Sequence, residues 1–285
     1  MNIKEKTEKI RLIAADLDGT LLDDKKNISS HTADILNEAM KQGYYFTFCT
    51  GRQAAVMWKL TKYIIPNAPI ICTNGGEVWD NGARKFCYRA FLENSSVISC
   101  VKFCRQHQID FLCRTNETEY VNEGCCYLPK MRRRNEQAVS YGAKPQGIVI
   151  LDGSDDERLS GLDFIKIVCY PDSDEKEEEL TAFCAEDRNI TVTRSSRHFD
   201  EIMPAGNDKG TGLEHVCESL GLTLENCCVF GDYDNDIPMF RKAGFRVAMG
   251  NANETIKGMS DYVTVSNNED GVANAIKTLF LTNLH

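Results

Sequence analysis

One short stretch, Asp16-Leu17-Asp18-Gly19-Thr20, constrains the fold more than any other part of the sequence. It follows the apolar run Leu12–Ala15, which is typical of a buried strand in a parallel sheet. Two carboxylates at the carboxyl end of such a strand are poorly placed for stability, because burial of charge is costly, and well placed for a ligand. A metal ion would resolve their mutual repulsion. The alternative from this stretch alone is a plain turn, since Asp-Gly is a common turn pair.

Composition limits the partners of the chain. The 285 residues suggest about two domains, and 33 basic against 42 acidic side chains give a net charge of −9. Such an acidic chain is a poor candidate for binding nucleic acid or a membrane surface, and we expect neither as a partner. Residues 1–9 are polar and no stretch is long enough to span a bilayer, which predicts a cytoplasmic protein. The sequence does not indicate an oligomeric state.

The cysteine pattern favours reduced core residues. The 13 cysteines are odd in number, form no Cys-x-x-Cys pair and often lie inside apolar runs. Cys100, Cys104 and His107 would share one face of a helix, which is compatible with a metal site. Because Val97 and Val101 lie on or beside the same face, packing is the favoured interpretation.

Strands and helices alternate at both ends of the chain. Residues 12–15, 44–49 and 70–72 are predicted strands, separated by a helix that Ser29 caps and Gly43 ends and by a second helix at residues 53–65. This order predicts a doubly wound parallel sheet, in which polar or glycine turns at the strand ends form the ligand site. The parallel pattern returns after Phe199.

The middle of the chain has a different pattern. A hairpin signal at residues 77–91, mixed strands, and helices capped by residues such as Ser173 predict a separate α+β domain inserted into the first. We place the core at residues 1–81 and 194–285 and the inserted domain at 82–193. Within it, the acidic run 172–179 suits a helix start. The basic run 130–134 is either a solvated helix face or a contact for an anionic substrate.

Four short motifs stand out in the two core segments. They are Asp16-x-Asp18-Gly19-Thr20, Thr50-Gly51-Arg52, Lys209-Gly210 and Gly231-Asp232-x-x-Asn235-Asp236. In this order the motifs resemble those of the haloacid dehalogenase-like (HAD) phosphohydrolases. Ile202-x-Pro204 and Asn74-Gly75 resemble the Cof-type branch, whose large α/β cap is inserted after the third core strand. The resemblance implies a Rossmann-like HAD core with an inserted α+β cap domain.

The same resemblance implies catalytic roles that suit phosphoryl transfer, which needs an in-line nucleophile, charge neutralisation and a proton for the leaving oxygen. Asp16 would be the nucleophile that forms an aspartyl-phosphate. Asp18 would protonate the leaving group and then activate water. Lys209 would place a cation against the phosphoryl oxygens and the nucleophile.

The remaining motif residues would bind phosphate and metal. Mg²⁺ prefers oxygen ligands, and the resemblance implies the carboxylates of Asp16 and Asp232 and the backbone carbonyl of Asp18 as its donors. Asp236 would support Lys209 and the metal waters as a neighbouring group. The sequence does not show whether Asp208 and Asp234 face the metal or solvent. The expected contacts to substrate and phosphate are Leu17, Thr50, Gly51, Arg52, Asn74 and Asn235.

The leading hypothesis is therefore a Mg²⁺-dependent phosphatase acting on a small phosphorylated metabolite, such as a sugar phosphate or a phosphorylated cofactor. The cap would exclude water and select the leaving group. A sugar phosphomutase is a second hypothesis, and its product would be an isomeric sugar phosphate rather than inorganic phosphate. A non-catalytic phosphometabolite-binding protein on the same fold is a third, which the intact acidic pair, Lys209 and Asp232 argue against.

Overall fold

The computed structural model describes residues 2–61, 63–153 and 156–281. The chain divides into a core unit, Met1–Arg89 with Asn207–His285, and an inserted unit, Ala90–Gly206. These boundaries differ from the predicted segment 82–193 at both ends. The hairpin before Ala90 pairs within the core unit. The strand that ends at Pro204 pairs within the inserted unit, although the sequence pattern assigned it to the core.

The strands follow one another through both units. In chain order they are β1 (Leu12–Ala15), β2 (Tyr45–Phe48), β3 (Ile70–Cys72), β4 (Glu77–Asp80), β5 (Lys85–Arg89), β6 (Asp110–Arg114), β7 (Thr118–Asn122), β8 (Gly147–Leu151), β9 (Lys166–Tyr170), β10 (Ile190–Ser196), β11 (Phe199–Pro204), β12 (Cys227–Gly231), β13 (Phe245–Ala248) and β14 (Tyr262–Val263).

The α-helices lie before, between and after these strands. In chain order they are α1 (Ile3–Thr7), α2 (Ser30–Lys41), α3 (Trp58–Thr61), α4 (Asn94–Gln106), α5 (Leu128–Ser140), α6 (Asp156–Leu159), α7 (Asp174–Ala185), α8 (Lys209–Leu220), α9 (Ile237–Lys242), α10 (Glu254–Met259) and α11 (Gly271–Ile276).

A five-stranded parallel sheet in the order β14-β13-β12-β1-β2 organises the core unit and confirms the predicted fold class. Every residue of β1 and β12 is buried, as expected for central strands covered on both faces. The predicted third strand, β3, instead pairs antiparallel with β4 and belongs to a three-stranded sheet with β5. A single parallel bridge between Cys49 and Ile71 connects it to the end of β2.

Three helices begin directly after the capping residue at their N-terminus. Ser29 caps α2, Ser173 caps α7 and Asp208 caps α8, each through a side-chain oxygen that accepts a backbone N–H. The helix predicted at residues 53–65 is confirmed only in part. It begins with a 3₁₀ turn, Ala54–Val56, without a side-chain cap, and within the described residues 53–61 and 63–65 only α3 is α-helical.

The inserted unit contains a six-stranded sheet in the order β10-β11-β9-β6-β7-β8, in which only the β7–β8 pair is parallel. Neighbouring residues of β6 face opposite sides, since Phe111 packs with α4 and α7 while Leu112 packs with Met131 of α5. The unit is α+β, as predicted. Cys100 and Cys104 of α4 are buried in its apolar cluster, and all 13 cysteines are free, so packing accounts for this pair.

Among the described residues, no helix is both long and apolar enough to cross a bilayer.

Candidate active site

The carboxyl ends of β1 and β12 bring two acidic residues together. Asp16 follows β1 and its N–H donates to the carbonyl of Phe230 at 3.0 Å, while Asp232 follows β12. Thr20 Oγ1 donates to Asp232 Oδ1 at 2.8 Å and fixes that carboxylate beside the first loop. Gly19, at φ +86°, permits this approach, because a Cβ there would lie 2.3 Å from Asp232 Oδ2.

Lys209 lies between two carboxylates at the start of α8. Its Nζ is 2.7 Å from Asp16 Oδ1 and 2.6 Å from Asp236 Oδ1. The Lys209 and Asp236 side chains are 0% exposed and that of Asp16 is 8% exposed. Asp236 Oδ2 accepts the N–H groups of Asp232 and Tyr233 at 2.8 and 3.2 Å, which fixes this side chain to the loop after β12.

Burial and crowding of charge shift the pKa values of this cluster. Burial raises the pKa of Asp16 well above its usual value, although Lys209 opposes the shift. The pKa of Asp232 rises to about 7, first through burial and then through the neighbouring charge of Asp236. Burial lowers the pKa of Lys209, but Asp16 and Asp236 more than offset this and raise it above the usual value. Two carboxylates thus contact the ammonium group and a third lies beside them, so the ionised cluster carries a formal excess of negative charge.

This arrangement fits a divalent cation. Carboxylate oxygens of Asp16, Asp232 and Asp236 lie within 4.8 Å of one another. Asp236 already accepts three hydrogen bonds, one of them from the Lys209 ammonium group, whereas Asp16 and Asp232 each accept one side-chain hydrogen bond in the contacts above. Asp16 and Asp232 are therefore the better ligands, and a cation between them would offset the burial and the neighbouring negative charge that raise both pKa values. The side chain of Asp18 is not part of this cluster.

Asp18 is held instead by two cations. Arg52 donates from Nε and Nη2 to its two oxygens, both at 2.8 Å, and Lys26 Nζ lies 2.9 Å from Oδ1. Burial raises the pKa of Asp18, but Arg52 and Lys26 outweigh it and lower the value to about 2. In this geometry Asp18 is an ionised carboxylate. It forms an ion pair with Arg52, which the sequence analysis predicted to contact the substrate.

The loop after β2 is tied to the loop after β3. Thr50 is buried, its Oγ1 accepts the Arg52 N–H at 3.1 Å, and its carbonyl accepts the Asn74 N–H at 2.9 Å. Asn74 has a left-handed backbone, with φ +48°, and its Oδ1 accepts Asn235 Nδ2 at 3.4 Å. Thr50, Asn74 and Asn235 thus join three loops of the core unit. Gly51 continues the Thr50 loop.

The backbone at Leu17 shapes the first loop. Its side chain is buried, and its carbonyl accepts the N–H groups of Leu22 and Thr20 at 2.8 and 3.3 Å. The two acidic residues that the sequence left open have local partners. Asp208 caps α8 by accepting the Thr211 N–H at 2.8 Å, and Asp234 Oδ1 accepts Asn253 Nδ2 at 2.8 Å.

Two polar contacts of the site were missing from the sequence-based set. Thr20 lies within the first motif, so its contact with Asp232 could have been anticipated from the meeting of the two strand ends. Lys26 lies outside every motif on a polar connection, and no sequence signal pairs it with Asp18.

Comparison with known proteins agrees with the motifs. Residues 13–276 match the family model described as haloacid dehalogenase-like hydrolase. The chain is 29% identical to the 5-amino-6-(5-phospho-D-ribitylamino)uracil phosphatase YcsE of Bacillus subtilis, over 97% of this chain and 98% of that protein. It is 26% identical to the pyridoxal phosphate phosphatase YbhA of Escherichia coli, over 93% of this chain and 97% of that protein.

Solved structures show the same relationship. A haloacid dehalogenase-like hydrolase from Bacteroides thetaiotaomicron superposes with a TM-score of 0.79 at 30% identity, covering 95% of this chain and all of that one. The relatives that align nearly end to end are named as phosphatases, which confirms the prediction of a phosphoric monoester hydrolase. The chain belongs to the haloacid dehalogenase-like hydrolases, in the Cof-type branch that its motifs indicated.

Proposed function

We propose that the protein is a Mg²⁺-dependent phosphatase that hydrolyses small phosphorylated metabolites through an aspartyl-phosphate on Asp16. One observation carries the proposal: Asp16 is oriented by Lys209, while Asp232 lies beside it with no ammonium contact in the described residues. Such a carboxylate pair suits Mg²⁺, with the backbone carbonyl of Asp18 as a further oxygen donor. When bound, Mg²⁺ would neutralise charge on the pair and on the phosphoryl oxygens.

Asp16 is the proposed nucleophile that attacks phosphorus. The hydrogen bond from Lys209 to its Oδ1 orients the carboxylate, and one of the two carboxylate oxygens forms the new P–O bond. As that bond forms, the bond from phosphorus to the leaving oxygen breaks, and the phosphoryl group is transferred to Asp16. Asp236 holds Lys209 in place during both steps. Water then attacks the phosphoryl group and releases inorganic phosphate and the free carboxylate.

The proton for the leaving oxygen comes from Asp18, which must first lose its bidentate ion pair with Arg52. Arg52 and Lys26 hold Asp18 as a carboxylate in this structure. An incoming phosphate ester competes with Asp18 for Arg52, because both are anions that suit a bidentate guanidinium contact. Exchange of Arg52 from Asp18 to the substrate would allow Asp18 to take a proton, pass it to the leaving oxygen, and later accept one from the attacking water.

The substrate class follows from the relatives. YcsE and YbhA are named for a phosphorylated ribitylaminouracil and for pyridoxal phosphate, both small phosphate monoesters. We therefore propose a phosphorylated cofactor, cofactor precursor or sugar phosphate as the substrate and the cytoplasm as the location. Residues 90–206 are proposed to act as the cap that selects the leaving group.

The test is a screen of phosphorylated metabolites that measures both phosphate release and the organic product, with Mg²⁺ and with EDTA. We expect the release of phosphate to depend on Mg²⁺ and to be abolished in Asp16→Asn. Recovery of an isomeric sugar phosphate without free phosphate would identify a mutase instead. Turnover by wild type no greater than by Asp16→Ala on every compound, with metabolite binding retained, would indicate a non-catalytic binding protein.

A further inference from the structure

A second group of ligand-type side chains lies in the inserted unit, and the proposed reaction uses none of them. Asp110 begins β6, and Cys125 and Cys126 occupy the turn between β7 and α5. One carboxylate oxygen and the two sulfur atoms lie within 4.8 Å of one another. Cys125 is buried, Asp110 is half-buried and Cys126 is exposed, so the group opens to solvent on one side.

Hydrogen bonds fix the turn that carries the two cysteines. Asp110 Oδ2 accepts the Cys126 N–H, and its Oδ1 accepts Asn122 Nδ2, both at 2.8 Å. The Asn122 carbonyl accepts the Cys125 N–H at 3.2 Å, and its Oδ1 accepts the Phe111 N–H at 2.7 Å. Asn122 therefore orients the carboxylate and the turn together, as outer partners of metal ligands do.

Without a cation the two cysteines are thiols. Burial raises the pKa of Cys125, and the backbone N–H groups of Tyr127 and Leu128 only partly oppose this rise. Burial, and after it the carboxylate of Asp110, raises the pKa of Cys126 to about 12, so a cation among the three donor atoms would have to replace two thiol protons.

We propose that Asp110, Cys125 and Cys126 form a binding site for a thiophilic divalent cation, Zn²⁺ or Cd²⁺, with water as the fourth ligand. Two thiolates and one carboxylate are a donor set for these ions and not for Mg²⁺, which prefers oxygen. Binding would displace the two thiol protons and form two metal–sulfur bonds and one metal–oxygen bond, leaving the site with one net negative charge.

Another cluster of ligand-type side chains in the same unit is already neutralised by arginine side chains. Asp174, Glu177 and His198 also place ligand atoms within 4.8 Å of one another. However, Arg197 Nη2 lies 2.9 Å from Asp174 and Arg194 Nε lies 2.8 Å from Glu177. These guanidinium groups neutralise the two carboxylates, whereas the only charged side chain in the cysteine group is the carboxylate of Asp110.

The experiment is a titration of the reduced, full-length protein with Cd²⁺ in saturating Mg²⁺, which occupies the carboxylate site of the core unit. Expected are a cadmium–thiolate charge-transfer band that saturates near one equivalent and release of about two protons per ion. Cys126→Ser should lose about half of the band and at least about tenfold in affinity for Cd²⁺. A tenfold loss of affinity is the minimum expected, because it follows even from mutation of a residue that only hydrogen-bonds to a metal ligand. Cys125→Ser/Cys126→Ser should lose the whole band. Cys87→Ser, another exposed cysteine, is the matched control and should bind like wild type.

Three results would overturn the site. They are no thiolate band in wild type near one equivalent, an unchanged band in Cys125→Ser/Cys126→Ser, or an equal loss in Cys87→Ser. Dimers that appear with Cd²⁺ and disappear in Cys126→Ser would show an ion bridging two chains and would also contradict it. Cys126 is exposed, so Cys126→Ser is expected to fold, and its circular dichroism checks this. Because the readout is a sulfur band, the result is independent of phosphatase activity.

Discussion

Replacing Lys209 with methionine should make the stability of the metal-free protein depend steeply on pH. The substitution keeps an unbranched side chain of similar length and removes the only ammonium in contact with Asp16 and Asp236 among the described residues. Both carboxylates are almost fully buried, and breaking a buried ion pair in this way costs about 3–5 kcal/mol. We expect a loss of unfolding free energy of this size near pH 8, measured by urea denaturation in EDTA.

The sign of the pH dependence follows from burial. Asp16 already has a raised pKa with Lys209 present, and the loss of Lys209 raises it further. Suppose that the pKa of a carboxyl group is higher in the folded chain than in the unfolded chain. Its contribution to stability is then complete below the unfolded pKa, and it is lost as the pH rises through the folded pKa. Lys209→Met should therefore regain stability as pH falls from 8 toward 5, at up to about 1.4 kcal/mol per pH unit for each proton taken up.

Two variants serve as controls for this prediction. Lys242 pairs with Glu214 at 2.9 Å, with side chains 30% and 45% exposed, so Lys242→Met should change stability by less than about 1 kcal/mol. Lys209→Met/Asp236→Asn removes one of the unpaired charges and should recover much of the loss at pH 8. A loss in Lys209→Met that is independent of pH, or no greater than that of Lys242→Met, would refute the argument from buried charge.

Three further predictions concern single residues. In EDTA the raised pKa of Asp232, about 7, should make stability fall as pH rises from about 4 through 7, and saturating Mg²⁺ should flatten that decline in thermal unfolding scans. Rapid-mixing assays with an aryl phosphate should show no burst of aryl product for Asp16→Asn and a burst for Asp18→Asn. The rate of Asp18→Asn should fall more with an alkyl phosphate than with the aryl phosphate, by up to about 10²–10⁴-fold. Urea denaturation should show that Arg134→Ala costs about 1–3 kcal/mol, because Arg134 pairs with a fully buried carboxylate, while Arg133→Ala, on the exposed face, costs less than about 0.5 kcal/mol.

The sequence predicted the elements whose signal is local. The apolar run of β1 and the acidic pair after it are adjacent in the chain, and parallel strands end at one edge of a sheet, so Asp16 and Asp232 could be placed together. The capping positions Ser29, Ser173 and Asp208 were equally readable, because an N-cap acts within three residues of itself.

What the sequence did not predict depends on partners distant in the chain. The segment ending at Pro204 looked like a short edge of the core, but its pairing with β9 and β10 places β11 in the inserted unit. The ion pair of Arg134 with Glu119 changes the interpretation of the basic run 130–134, since Arg132 and Arg133 are exposed while Arg134 is engaged by a buried carboxylate. A side-chain contact between a helix and a strand leaves no periodic signal in either segment.

Charge balance at the proposed active site gives the metal a specific role. Lys209 is shared by Asp16 and Asp236, and Arg52 and Lys26 both contact Asp18. Each of these cations therefore already neutralises a carboxylate, although the substrate is a phosphate ester with its own negative charge. In the proposed mechanism, release of Arg52 from Asp18 would supply one cation to the phosphate and, by the same exchange, let Asp18 become a proton donor. The repulsion between the phosphate and the Asp16–Asp232 pair would remain, and a cation bound between the two carboxylates would remove it. The mechanism we propose therefore has two separate requirements, metal binding for the approach of the nucleophile and the exchange of Arg52 for protonation of the leaving group.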